Sequence, residues 1–230
     1  MAAFSTLDHA ALAFFVLSWL GYTLVVERTR ASERSLNVLM KRHRRAWMDQ
    51  MLTRENRIAD TAINASLQNG TAFFASTSLF AIGGALALLR STDEMLTLFA
   101  EMPLGLATSR LAWELKVLGL AVIFVYAFFK FAWAYRLYNY AAILLGAAPA
   151  PQLGGGPEAR AAGHRAGSMN IVAGGHFNRG QRAFFFALAY LGWFVSAYVL
   201  IATTAAVLVV MWRRQFASDA RLAILDEVGE

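Results

Sequence analysis

The chain has no cysteine, which rules out disulfides, iron–sulfur clusters, thiolate zinc sites and cysteine nucleophiles, though it identifies no redox compartment. Histidine is scarce: His9, His43, His164 and His176 all lie outside the middle of the long apolar stretches. Paired axial ligands for an embedded haem are therefore missing within one subunit. There is no Walker loop, no HExxH and no GxSxG. No catalytic residue, metal or cofactor is expected, and a hydrolase or electron carrier is disfavoured. Charge is also thin, at 16% of residues against 58% hydrophobic ones, a balance too apolar for an ordinary soluble domain.

What is present is a set of four long apolar stretches, at residues 7–26, 71–89, 111–129 and 183–212. Each approaches or exceeds the ~20 residues needed to cross a hydrocarbon core of ~30 Å. No basic residue precedes the first, so it is expected to be a retained helix and not a cleaved signal peptide. The fold class expected is an all-α integral membrane protein with four transmembrane helices and long cytoplasmic helical extensions, forming a single membrane domain over residues 1–230.

The net charge of +6 is unevenly placed. The connection after the first stretch and the one after the third together hold 15 of the 21 basic residues. The excess of Lys and Arg predicts that both connections are cytoplasmic, in a bacterial inner membrane, and that both chain termini lie outside the cytoplasm. Arg213 and Arg214, after the fourth stretch, argue against an outside C-terminus but are outnumbered.

In the first connection, Leu36, Leu39, Met40, Trp47, Met51 and Ile58 recur at helical spacing. An amphipathic helix over about 32–70 is expected, continuing into the second span with a bend near Asn69 and Gly70. Its basic cluster Lys41, Arg42, His43, Arg44 and Arg45 reads as a face for anionic lipid headgroups. A nucleic-acid partner is not expected, because neither stacking aromatics nor a binding fold accompanies the cluster. Trp133, Tyr135, Tyr138 and Tyr140 read as an interfacial aromatic belt. The alanine-, glycine- and proline-rich residues 147–168 read as a flexible linker.

At about 100° per residue, Arg57, Asp60, Asn64, Gln68, Thr71, Ala75 and Ser78 fall within a helical sector of roughly 80°. A lipid-facing stripe carrying an acid and two amides is costly, so it should face a partner helix or water. One reading has Asn64 and Gln68 bonding a neighbouring helix while Gly83 and Gly84 permit close packing. The other makes the stripe the lining of a path between subunits. A second polar set, Lys130, Arg136, Asn139, His176, Asn178, Arg179 and Arg182, falls on the cytoplasmic side and forms a candidate mouth. The sharper hypothesis pairs Asp60 with Arg179 or Arg182, with Asn64, Gln68 and Asn178 completing the network.

The segments "RIADTAINASLQNGTAFFASTSLFAIGGALALL", "FFKFAWAYRLYNYAAILLGAAP" and "GGHFNRGQRAFFFALAYLGWFVSAYVL" make the chain resemble the bacterial and plant membrane family catalogued as domain of unknown function 599. The resemblance covers nearly the whole chain. It implies four helices in an inner membrane and brings no catalytic residue with it.

These readings lead to a homo-oligomeric channel or transporter for ions or small anionic solutes, with the path between protomers because four helices enclose little space. The rivals are a scaffold or accessory subunit docking through the amphipathic helix, and a lipid-binding protein using the Lys41 to Arg45 cluster and the aromatic belt.

Overall fold

The computed structural model describes residues 4–101, 109–151 and 156–225, and every regular element among them is helical. Eight α-helices follow in chain order: α1 (Thr6–Arg28), α2 (Leu36–Leu52), α3 (Ile58–Arg90), α4 (Thr92–Glu101), α5 (Arg110–Gly146), α6 (Pro157–Val195), α7 (Ala197–Phe216) and α8 (Asp219–Leu225). Four helical segments are long and apolar enough to cross a membrane: Thr6–Arg28, Ile58–Arg90, Arg110–Gly146 and Ala197–Leu225.

The helix ends follow from local chemistry. Ser5 caps α1 through a capping box with Asp8, satisfying amides that have no partner inside the helix. Ser196 caps α7, its hydroxyl accepting from the Val199 amide. Asn56 accepts from the Ile58 amide at 2.9 Å and starts α3. Pro157 opens α6, where a missing N–H has no consequence.

Three sequence expectations are corrected here. The amphipathic segment over 32–70 is not one helix running into the second span: α2 ends at Leu52, α3 begins at Ile58, and α3 then passes through Asn69 and Gly70 without interruption. The capping Asn56 places the break. Residues 157–168 are helix, not flexible linker, while 152–155 lie outside the described residues. Alanine is the best helix former, and Ala159, Ala162, Ala166 and Ala173 are buried at helical spacing. The apolar stretch 183–212 is two helices, not one, because Ser196 adopts an extended conformation between them.

The chain folds as two compact units. The first comprises residues 1–36, 78–126 and 182–230. Here α6 and α7 form a tight antiparallel hairpin about Ser196: Thr203 donates to the Ala189 carbonyl at 2.7 Å, and a side chain on Gly192 would meet Thr203 Oγ1 at 2.6 Å. The last part of α6 lies along α1, with Phe15 against Phe186 and Tyr190 at 5.6 and 5.5 Å. Both ends of that pairing are tied. Trp193 donates to Asp8 at 2.8 Å, and Arg182 pairs with Glu27. Tyr22 donates to the Met211 carbonyl at 3.0 Å, fixing α7 to α1. A separate cluster of Ala85, Trp113, Val117 and Ala121 packs with Met95, Leu96 and Phe194.

This geometry also bears on the termini. Asp8 lies by Trp193 at one end of α1, whereas Arg221 donates to the Arg34 carbonyl at 2.8 Å, just past the other end. The expectation of both termini on one side took 183–212 as a single crossing, and that stretch is two helices.

The second unit comprises residues 37–77 and 127–181. Met48 and Met51 of α2 pack on Leu145, Ala148, Ala162 and Ala166, so α2 buries its apolar face within this unit. Leu137, Tyr138 and Ala173 form a further cluster with Leu67 and Met169. Gly163 and Gly167 let α6 approach α2 closely, since a Cβ on either would meet Leu52 at 2.8 Å or Met48 at 3.2 Å.

Candidate functional site

The densest polar cluster among the described residues lies in the second unit, where the start of α3 meets α2, α5 and α6. Asp60 is fully buried. Its Oδ1 accepts from the Trp47 indole at 2.7 Å and from the Arg54 guanidinium at 2.5 Å. The turn after α2 brings both donors back over the first turn of α3. Arg57 points instead at the end of α5, donating to the Ala148 and Pro149 carbonyls at 2.7 and 2.5 Å. A guanidinium there satisfies carbonyls that the helix leaves open and complements the negative end of its dipole.

One turn further along α3, Asn64 donates to the Tyr138 carbonyl at 3.0 Å and accepts from Asn170 at 3.3 Å. Asn170 is itself fully buried. Arg44 completes this network, donating to the Asn170 carbonyl at 3.2 Å, to the Asn170 side-chain oxygen, and to the Tyr138 hydroxyl at 3.4 Å. Gly174 makes room for it: a Cβ there would lie 3.1 Å from the Arg44 Cζ. Polar groups thus join four helices, while Asp60 Oδ2 and Arg57 Nε are buried with no hydrogen-bond partner among the described residues.

The predicted stripe is largely an inward face. Asp60, Asn64, Thr71 and Ser78 are buried, and Arg57 and Gln68 are half-buried. Thr71 bonds back to the Leu67 carbonyl of its own helix. Several residues of the predicted mouth have partners within their own unit. Asn178 donates to Asn37 at 3.0 Å, and Arg182 pairs with Glu27. Arg136 bonds Tyr140 on its own helix at 2.7 Å; Asn139 is exposed, and Lys130, His176 and Arg179 are half-buried. The expected pairing of Asp60 with Arg179 or Arg182 is therefore replaced by Asp60 with Arg54. Arg54 reaches Asp60 because the turn between α2 and α3 folds back on itself, while the nearer Arg57 is taken by the end of α5.

Three further expectations change at residue level. Of the basic cluster, Lys41, Arg42, His43 and Arg45 are exposed, but Arg44 turns inward. Gly83 and Gly84 do not permit close packing, since a Cβ at either would meet nothing within 4 Å. Trp133 and Tyr135 are exposed as a belt requires, whereas Tyr138 is buried. Trp47, Arg54 and Asn170 were not singled out as polar partners in the sequence. The signal for Asn170 was available: it is an amide set at helical spacing among buried alanines. No group of three or more metal-ligating His, Asp or Glu side chains occurs among the described residues.

A family model described as Protein of unknown function, DUF599 matches residues 10–220. The chain belongs to that family. No curated protein and no solved structure matches the chain. The resemblance stated from the three quoted segments is borne out by the match, and the family brings no activity with it.

Proposed function

We propose that this DUF599 protein is a multi-pass scaffold or accessory protein of the bacterial inner membrane that does not itself conduct solute. One observation carries the reading. The polar residues that would have lined a path, Asp60 and Asn64, are buried inside a single chain and engaged with Trp47, Arg54, Tyr138 and Asn170. A lining residue must face water, and these face protein. Their chemistry is that of a fastening between helices.

In this reading α2 lies on the cytoplasmic side. Because α2 buries its apolar side, the surface left for docking is the basic one, Lys41, Arg42, His43 and Arg45. Anionic headgroups fit it, with each basic residue near the surface contributing ~1 kcal/mol. With Arg182 on Glu27 and Trp193 on Asp8, α6 runs beside α1, and we infer that it crosses as a fifth helix beside the four that are long and apolar enough by themselves. The N-terminus is then outside and Arg213, Arg214 and Arg221 are cytoplasmic, in accord with the excess of basic residues on that side.

The test is ion and small-anion flux in proteoliposomes containing the purified full chain. Leak equal to that of empty liposomes is expected. Flux above that level that falls on replacing Asn64 or Asp60 with a residue that still folds would return the stripe to a conducting path and sink the proposal.

A further inference from the structure

Between α1 and α7 runs an apolar groove of about 470 Å³, bounded by Ser18, Gly21, Val25, Leu208 and Val209 and ending at Arg213. We propose that it holds one acyl chain of an anionic phospholipid, with the lipid phosphate on the Arg213 guanidinium.

The groove owes its depth to a missing side chain, for a Cβ on Gly21 would meet nothing within 4 Å. Its walls are fixed in advance. The buried Tyr22 donates to the Met211 carbonyl at 3.0 Å and locks the two helices together just below the rim. A preformed slot binds a flexible chain without reorganising itself. Both helices are long and apolar enough to cross a membrane, so the medium that fills the groove is hydrocarbon and not water.

The rim decides which lipid. Arg213 lies in the last turn of α7 and is exposed. No carboxylate pairs with it among the described residues. Its neighbour Arg214 is engaged over the Phe185 ring at 5.0 Å. Trp212, its ring tilted against that of Phe216 at 4.5 Å, supplies the amphipathic edge that places this level at the headgroups. A planar guanidinium takes a phosphate through two parallel hydrogen bonds. An uncompensated positive charge at the mouth favours a lipid whose headgroup carries no cation of its own.

The full chain, purified in mild detergent, is examined by native mass spectrometry with added dioleoyl phosphatidylglycerol or dioleoyl phosphatidylcholine. One retained phosphatidylglycerol is expected, in several-fold excess over phosphatidylcholine. Gly21→Phe should abolish retention of both lipids. Arg213→Gln, at an exposed position that does not endanger folding, should bring the two lipids to parity. A triple variant with Lys41, Arg42 and Arg45 each replaced by Gln should keep the wild-type preference, which separates this groove from the basic face of α2. Unchanged phosphatidylglycerol preference in Arg213→Gln, or unchanged retention in a folded Gly21→Phe protein, overturns the proposal.

Discussion

Asn170 of α6 donates to the side chain of Asn64 of α3 at 3.3 Å, although 106 positions separate them in sequence. Neither amide is accessible to solvent, and each carries a second bond, Asn64 to the Tyr138 carbonyl and Asn170 to Arg44. Buried amides of this kind stabilise a fold only while every member is present. Replacing Asn170 by Leu removes one acceptor from Arg44 and one donor from Asn64, and a buried unpaired polar group costs about 1–3 kcal/mol. Asn64→Leu should destabilise comparably. The double variant should lose less than the sum of the two, with coupling of at least 0.5 kcal/mol. Denaturant titration of the four proteins in detergent measures this, and strict additivity would show that the two amides do not cooperate.

Asp60 is fully buried while its partner Arg54 is nearly half exposed. The two ends of this ion pair should therefore respond unequally. Arg54→Ala leaves the buried Asp60 carboxylate without its cation, a loss of about 3–5 kcal/mol. Asp60→Ala removes the buried charge itself, returns Arg54 to solvent and leaves the Trp47 indole without its acceptor, a loss of about 1–3 kcal/mol. Asp60→Asn keeps an acceptor for Trp47 and buries no charge, so it should be the mildest of the three. Thermal unfolding gives the order, and an Arg54→Ala protein more stable than Asp60→Ala would contradict it.

Much of this arrangement was legible before any coordinates. The 3.6-residue period placed Asp60, Asn64, Thr71 and Ser78 on one face, and all four are buried. The period says that a face is inward but not what it meets. Partner choice depended on the turn at Thr53 to Arg57, which brings Arg54 to Asp60 and is set by the cap at Asn56. Composition misled at two places. Alanine and glycine at 157–168 suggested a linker, yet small residues are what α6 needs to lie close to Met48 and Leu52. Unbroken hydrophobicity over 183–212 hid the hairpin, because apolar content does not register one extended residue at Ser196.

Glycines separate into two kinds that sequence alone does not distinguish. A Cβ on Gly180 would lie 2.6 Å from the ring of Phe131, which is fully buried and held by Phe74 and Phe177 at 5.3 and 5.6 Å. That ring cannot move aside. Gly180→Ala should cost about 1–3 kcal/mol through overpacking. Gly83, also within a helix, has open space at its Cβ position, so Gly83→Ala should stabilise by about 0.5–1 kcal/mol through helix propensity. Opposite shifts in unfolding temperature are expected; shifts of the same sign would mean that the packing around Phe131 is looser than the distances imply.

The absence of cysteine makes the membrane arrangement directly testable, since any single introduced thiol is the only one in the chain. Thr6, Ala31 and Ala220 are exposed and lie near the start of α1, just after α1, and within α8 respectively. With the α6–α7 hairpin turning at Ser196, Arg221 comes to Arg34 while Asp8 stays with Trp193 at the other end of α1. The proposed five crossings would put Ala31 and Ala220 on the cytoplasmic side and Thr6 outside. A membrane-impermeant maleimide applied to spheroplasts should label Thr6→Cys at once, and should reach Ala31→Cys and Ala220→Cys only after permeabilisation. Labelling of Ala220→Cys together with Thr6→Cys would mean that α6 does not cross and that four spans return the chain to its starting side. Labelling of Ala31→Cys and Ala220→Cys with Thr6→Cys protected would mean that the whole orientation is inverted, and the basic face of α2 would then have no anionic inner leaflet to meet.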